Sequence, residues 1–90
     1  MKPKKFGKVQ IKAYYDLDGE YILFPDNPLH GKTFENVTVT FKTKRHIIGD
    51  TSFLLNIIEI EGQEPIECEL LGSRKLPDGS LLIEICQDWG

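Results

Sequence analysis

The sequence predicts an all-β fold, a small antiparallel barrel or sandwich of about six strands of the SH3-like or OB-like kind. Short segments alternate apolar and polar residues, which is the pattern of a strand with one buried face. Two pairs of such segments meet at Asp-Gly, the residues of a tight β-hairpin turn. Ninety residues are enough for one modest core. A sheet of this size removes its exposed edges by closing on itself.

The chain is predicted to hold a short basic arm and one domain. Residues 1–5 read Met-Lys-Pro-Lys-Lys, and we expect a flexible arm there because chain ends fray unless packing holds them. Residues 6–90 are predicted to be a single β domain. They contain no apolar run approaching the ~18 residues of a membrane-spanning helix, and the N-terminal residues do not resemble a secretory signal. We therefore expect a cytoplasmic protein that does not associate with membranes.

The first hairpin is predicted from its alternation and its turn. Residues 6–15 alternate apolar and polar side chains, which indicates a strand. Asp18-Gly19 follows as a two-residue turn, because both central residues of a type I′ turn need positive φ. This turn sets Tyr15 opposite Ile22, so that the apolar faces of the two strands coincide.

A loop and a third strand follow the first hairpin. Residues 25–34 contain two prolines and a glycine, which exclude regular structure. This is the longest predicted loop and a candidate interaction surface. Residues 36–43 alternate inward and outward side chains and predict the third strand. Lys44, Arg45 and His46 are expected at the end of that strand or in the next turn.

Residues 51–61 contain the most apolar run of the chain, and its period does not distinguish helix from strand. A single short helix capped by Asp50 is one interpretation. The three isoleucines and the alternating end of the run favour a strand. That strand is expected to be buried on both faces at its start and on one face later.

The closing hairpin is predicted over residues 66–87. We expect a two-residue turn at Asp78-Gly79 that sets Pro77 opposite Ser80, because Asp-Gly between two apolar runs is the strongest short hairpin signal. The apolar faces of both strands then point into the core.

The same register separates the two cysteines of the chain. Cys68 faces the core, whereas Cys86 lies on the opposite face, and side chains on opposite faces cannot form a disulfide. We therefore expect two thiols, as in a reducing compartment. A β-bulge at residues 70–72 would change the parity of this strand pair.

Charge divides unevenly along the chain. The first 45 residues hold nine Lys and Arg against five Asp and Glu, or +4, and the last 45 hold two against nine, or −7, which sum to the net −3. Lysines neutralise phosphates and aromatic rings stack on bases, so outward lysines and tyrosines could hold single-stranded nucleic acid. The predicted basic-aromatic face consists of Lys8, Lys12, Tyr14, Tyr21, Lys42, Lys44, Arg45 and His46.

An acidic counterpart lies in the second half of the chain. Its glutamates point outward in the predicted register, and like charges on adjacent strands would oppose each other. A basic partner protein would be a reason to keep such a face. The glutamates are Glu59, Glu61, Glu67, Glu69 and Glu84.

Residues that could carry catalysis or bind a metal are scattered. His30, His46, Cys68 and Cys86 lack the close spacing that builds a zinc site. The sequence has no glycine-rich phosphate loop and no nucleophile elbow. An enzyme with a pocket near His30 or His46 would need a nucleophile, a base and an orienting group together, and no segment supplies all three.

The sequence therefore predicts a non-enzymatic binding module with no cofactor and no metal site. Its partner is expected to be a protein or a single-stranded nucleic acid, bound by the basic-aromatic face. The alternative is an acidic inhibitor or adaptor protein that presents its glutamates to a basic partner. Self-association through an unprotected edge strand also stays open, because such an edge can pair with another chain.

Overall fold

The structure is a computed structural model that describes residues 3–87. It contains six strands in that range, so the all-β prediction is confirmed. The strands are β1 (Lys4–Leu17), β2 (Glu20–Leu23), β3 (Thr33–Ile48), β4 (Thr51–Ile60), β5 (Ile66–Lys75) and β6 (Leu81–Cys86).

The first strand begins earlier than predicted. Lys4 and Lys5 pair with β3, and this pairing holds them in the sheet instead of in a flexible arm. The rest of the predicted arm, residues 1–2, lies outside the described residues, as do residues 88–90 at the other end of the predicted domain.

Five strands close into a barrel, and β2 pairs with β1 outside it. β1, β3, β4, β5 and β6 follow one another around the barrel in chain order, each antiparallel to the last. β6 then pairs with β1 in parallel, so the sheet is mixed and not purely antiparallel. The reason is that the barrel has an odd number of strands that alternate in direction, so the last strand, β6, runs in the same direction as the first, β1. The order is a meander, which differs from the Greek key of an OB-fold.

The core lies inside the barrel and consists mainly of β-branched side chains. β6 is buried on both faces. Leu82 and Cys86 on its outer face are 3% and 2% exposed, close to the 0% of the inward-facing Ile83. Each fully buried Val, Leu or Ile contributes roughly 1.5–3 kcal/mol relative to an exposed side chain. The other buried apolar residues are Phe6, Val9, Ile11, Ala13, Val39, Ile58, Ile60, Ile66, Cys68, Leu81 and Ile85.

The first hairpin has the predicted turn. Asp18 and Gly19 have φ values of 52° and 86°, as a type I′ turn requires. Tyr15 lies opposite Ile22, which is the predicted register. The Asp16 carboxylate accepts a hydrogen bond from the Gly19 N–H at 3.0 Å and closes the turn.

The turn predicted for the closing hairpin is wrong. The loop has three residues, Pro77, Asp78 and Gly79, and only the glycine has positive φ, at 89°. The Gly79 N–H donates to the Leu76 carbonyl, and the Leu76 N–H donates to the Ser80 carbonyl. The proline explains the difference, because its fixed φ favours the first central position of a type I turn, which glycine then completes in the left-handed conformation.

A second irregularity compensates for the longer loop. The pairing of β5 with β6 shifts by one residue between Leu70 and Gly72, at the position where a bulge would change the parity. The three-residue loop and this bulge each shift the pairing of β5 with β6 by one residue. Each shift exchanges the two faces of one strand relative to the other, so the two shifts together restore the predicted faces. Cys68 therefore faces the core and Cys86 the outer side, as predicted, and both are buried thiols.

The loop between β2 and β3 completes one edge of β1. β3 and β2 pair with the two ends of this edge and leave a gap between them. In the gap, the Ile11 N–H donates a hydrogen bond to the Lys32 carbonyl, and the Ile11 carbonyl accepts one from the Gly31 N–H. The Ala13 N–H donates to Nδ1 of His30 at 3.1 Å. The imidazole thus takes the place of a strand carbonyl beside the core.

The longest hairpin extends beyond the barrel. β3 has 16 residues, but β1 pairs with it only as far as Val39. β5 pairs with β4 only from Asn56 onward. Residues 42–55, which form the distal part of this hairpin, are named the arm. This name does not refer to the basic arm predicted for residues 1–5. They end in a two-residue turn at Gly49-Asp50.

We expect His30→Leu to destabilise the folded chain by about 1–3 kcal/mol, because the buried Ala13 N–H loses the imidazole that accepts its hydrogen bond. Urea denaturation measures this loss. His46→Leu is the matched control, since His46 is exposed and leucine keeps an apolar contact with the Phe53 ring on which His46 packs. This replacement should change the free energy of unfolding by less than ~0.5 kcal/mol. Equal effects of the two substitutions would show that the His30 bond does not hold β1.

Candidate functional site

The arm exposes the most apolar run of the sequence. Ile47, Ile48, Phe53 and Leu54 are 66%, 61%, 42% and 63% exposed. The strand predicted over residues 51–61 is confirmed, but its predicted burial at the start is wrong. The reason is that none of the elements within residues 3–87 covers either face of β4 before this strand reaches the barrel.

Basic side chains occupy the β3 side of the arm. Lys42, Lys44 and His46 alternate along one face, which is the outer face of the sheet, and Arg45 points to the other. The His46 ring packs against the Phe53 ring, with 5.2 Å between centroids. The arm therefore presents cations beside exposed apolar groups.

The charge of the arm is opposite to that of the rest of the chain. The arm holds Lys42, Lys44 and Arg45 against Asp50, which gives +2. Since the whole chain has a net charge of −3, the remainder carries −5. An ion pair joins the two regions, between Nζ of Lys42 and Oε1 of Glu59 at 3.0 Å.

Both edges of the arm lack a partner strand among residues 3–87. The two edges differ in chemistry. β3 carries its cations along one edge, whereas residues 51–58 of β4 contain no charge, no proline and no glycine. Charges, prolines and bulges are the usual means by which edge strands avoid pairing with other chains. The β4 edge has none of them.

A cleft of about 280 Å³ opens on the outer face beside the β4 edge. His46, Phe53 and Leu55 form its arm side, and Glu67 of β5 forms the opposite side. It lies where β5 separates from β4, just beyond their last pair, Asn56 with Cys68.

The predicted basic-aromatic face is divided between two ends of the molecule. Lys4 pairs with Val39, so the arm continues β3 past the beginning of β1. Lys12, Tyr14 and Tyr21 lie at the far end of β1 and on β2. The remaining predicted residue, Lys8, is exposed on β1 between the two groups. The structure brings Lys42, Lys44 and His46 together, with Arg45 on the reverse side of the arm.

The two tyrosines of that face are bonded to members of the predicted acidic face. The Tyr14 hydroxyl donates to Oε2 of Glu84 at 2.7 Å, and the Tyr21 hydroxyl donates to Oε1 of Glu69 at 3.1 Å. These hydrogen bonds are the main cause that raises the pKa of each phenol. A carboxylate beside each ring disfavours a phosphate at the same place.

The acidic face is also engaged within the chain. Glu61 accepts a hydrogen bond from the Thr38 N–H at 3.0 Å, and Glu59 pairs with Lys42. Together with the two tyrosine bonds, these contacts occupy every predicted glutamate except Glu67, which lines the cleft.

The groups considered for catalysis are placed apart. Burial is the main cause that raises the pKa of Cys68 to about 12, so its thiol is protonated at neutral pH and is a poor nucleophile. His30 accepts the Ala13 N–H, and His46 packs on the arm. Within residues 3–87, no three His, Cys, Asp or Glu side chains are grouped to hold a metal ion.

Comparison of the chain with known protein families, with curated proteins and with solved structures found no match. The described part of the chain has no helix of the length and apolarity needed to cross a membrane.

Sequence reasoning missed the exposed apolar residues of the arm. A usable signal was the symmetry about Gly49-Asp50, where two long strand-forming segments meet at a two-residue turn. Both segments are longer than β6, which closes the barrel. Part of that hairpin must consequently extend beyond the neighbouring strands of the barrel and stay uncovered.

Leu54→Ser should change the free energy of unfolding in dilute protein by less than ~0.5 kcal/mol, because the side chain is already exposed. Ile58→Ala, four residues along the same strand and fully buried, should cost roughly 2–5 kcal/mol. Urea denaturation of both variants tests the contrast. A large loss for Leu54→Ser would make the arm part of the core.

The Tyr14–Glu84 hydrogen bond makes the free energy of unfolding change with pH in the alkaline range. Because the folded pKa of Tyr14 is raised above its unfolded value of about 10, the contribution is complete below pH ~10 and is lost as pH rises through the folded pKa. Urea denaturation across that range should show a steeper decline for the wild-type chain than for Tyr14→Phe. Parallel pH profiles would contradict this assignment.

Proposed function

We propose that this protein is a non-enzymatic β-barrel module that binds another protein through its arm, at a partner segment with acidic and apolar side chains. The observation that carries the proposal is the exposure of Ile47, Ile48, Phe53 and Leu54 on a projecting hairpin. Ile48 and Phe53 lie on the outer face of the arm, and Ile47 and Leu54 lie on its reverse face. Each of them exposes on the order of 100 Å², so each face presents about 200 Å² of apolar surface and the whole arm about 400 Å². Exposed apolar surface of this extent marks an interaction site more often than a scattered single residue does.

The charge of the arm supports an acidic partner. Lys44 and Arg45 shortly precede the exposed Ile47 and Ile48 in sequence, and one acidic residue, Asp50, lies within the arm. Complementary charge at the rim of an apolar contact raises association rates and excludes partners of the wrong sign. An acidic segment with apolar side chains satisfies both features of the arm.

A protein fits the arm better than a nucleic acid does. The exposed apolar groups are mainly aliphatic, whereas single-stranded nucleic acid is held by rows of aromatic rings on which bases stack. The aromatic groups of the arm are Phe53 and His46, and they pack on each other. The tyrosines at the far end of β1 lie beside Glu69 and Glu84.

The alternative, an acidic face presented to a basic partner, has less support. Glu59, Glu61, Glu69 and Glu84 each have a partner within the chain. A basic partner would have to displace these contacts before it could bind the carboxylates.

Affinity capture with the tagged full chain from an extract of its native host tests the proposal. The first pair of changes is Lys44→Glu with Arg45→Glu, and the second is Ile47→Ser with Ile48→Ser. Each pair should lower the recovery of the captured protein at least about tenfold, which corresponds to ~1.4 kcal/mol. Mass spectrometry of the eluates measures it.

The matched control is Lys8→Ala with Lys12→Ala, which removes two exposed cations of β1 and should leave recovery unchanged. Capture that survives both arm variants would discard the arm as the binding surface. Capture that nuclease treatment abolishes, and that falls steeply with salt, would replace the protein partner by a nucleic acid.

A further inference from the structure

The unpaired backbone groups of the β4 edge belong to Ser52 and Leu54. In a two-residue hairpin the closing pair, here Ile48 with Thr51, exchanges both of its hydrogen bonds, and every second pair along the strands does the same. Odd-numbered residues of β4 therefore bond to β3, and even-numbered residues face the other edge. At Asn56 that edge is occupied by β5.

We propose that the β4 edge pairs with the same edge of a second copy of this chain, antiparallel about a two-fold axis at Phe53. Ser52 of each copy then lies opposite Leu54 of the other. Both residues exchange N–H and C=O hydrogen bonds across the axis, so every unpaired backbone group of this edge is satisfied. An axis at any other odd-numbered residue would leave one of them without a partner.

The length of the free edge fits this arrangement. It begins at Thr51, after the hairpin turn, and ends at Leu55, before the first pair with β5. Phe53 is its central residue. A second arm running in the opposite direction therefore fills the edge completely. Its Thr51 lies opposite Leu55, and its turn begins there, next to the first pair of β4 with β5 at Asn56.

The cleft on the outer face supplies the side-chain contact. Odd-numbered residues of β4 point to this face, as the packing of Phe53 on His46 shows. In the paired arrangement, Phe53 of the second copy enters the cleft formed by His46, Phe53 and Leu55, with Glu67 at its far side. Two aromatic rings across an antiparallel pair are among the favourable cross-strand contacts.

Charge distinguishes the β4 edge from the β3 edge. A two-fold axis pairs an edge with the same edge of the second copy, so the cations of a charged edge come close to those of its copy and repel them. Residues 51–58 carry no charge, and the pairing has no such cost there. The β3 edge carries Lys42, Lys44 and Arg45 and would repel a second copy. A second copy therefore fits β4.

The available area sets the strength of the pair. The exposed apolar groups of the two β4 segments, Phe53 and Leu54 of each copy, amount to on the order of 400 Å², well below the ~1,200 Å² at which stable, specific interfaces begin. We therefore expect a reversible dimer that depends on protein concentration. Pairing covers Phe53 and Leu54 of β4 but leaves Ile47, Ile48 and the cations of β3 exposed in both copies. The dimer therefore does not require the protein partner of the proposed function.

Sedimentation equilibrium of the purified full chain over a range of concentrations tests the pairing. Wild-type protein should show a monomer–dimer equilibrium. Leu54→Lys, which charges the edge, and Ser52→Pro, which removes its donor, should each shift dissociation to at least about tenfold higher concentration. Both variants should keep the circular dichroism spectrum of the wild type. A monomer at every concentration, or a dimer unaffected by both variants, would overturn the proposal.

A disulfide test fixes the register. Phe53→Cys should form a covalent dimer under mild oxidation, because the axis places the two thiols across a non-hydrogen-bonded pair. Thr51→Cys should not, because Thr51 lies opposite Leu55. Cross-linking at residue 51 in place of residue 53 would refute the axis. Lys44→Glu with Arg45→Glu should retain the dimer even where it abolishes partner capture, so failure of one proposal is distinguishable from failure of the other.

Discussion

The barrel depends on the parallel pairing of β6 with β1. This pair joins the two ends of a meander, and without it β1 and β6 would be open edges. β6 has only six residues, and all except Glu84 are buried. Because the closing strand is short, the closed part of the sheet is short as well. The β3–β4 hairpin is longer than the part of the sheet that can cover it, and the arm is the remainder.

Closure also determines which side chains cover the outer surface of β6. Cys86 lies between Tyr14 of β1 and Glu69 of β5 in the sheet, and it is 2% exposed although it points away from the core. The Tyr21 hydroxyl reaches from β2 to Glu69, across both β1 and β6. Residues that resemble a ligand-binding stripe in the sequence therefore form a polar cover over an apolar strand. Their charge pattern is explained without a ligand.

Much of the fold was predictable, because local turn chemistry and hydrophobic pattern agreed. The turn at Gly19 and the inward face of β1 follow from both signals. The turn at Gly79 was wrong in length because Pro77 competes for a type I turn, yet the faces of β5 and β6 came out right because the bulge at residues 70–72 compensates. Such compensation depends on contacts between strands, and a pattern within one strand does not contain it.

The surface of the arm was not predictable for a different reason. A hydrophobic run indicates which side chains a strand could bury, but it does not indicate whether another element covers them. The prediction that residues 51–54 are buried was wrong for this reason. A two-stranded ribbon is only marginally stable in water, and exposed apolar residues add little to it because they are exposed in the unfolded chain as well. Contacts across the hairpin, such as His46 with Phe53, are what stabilise the arm from within. The arm is consequently the part of the fold where an added strand would contribute most.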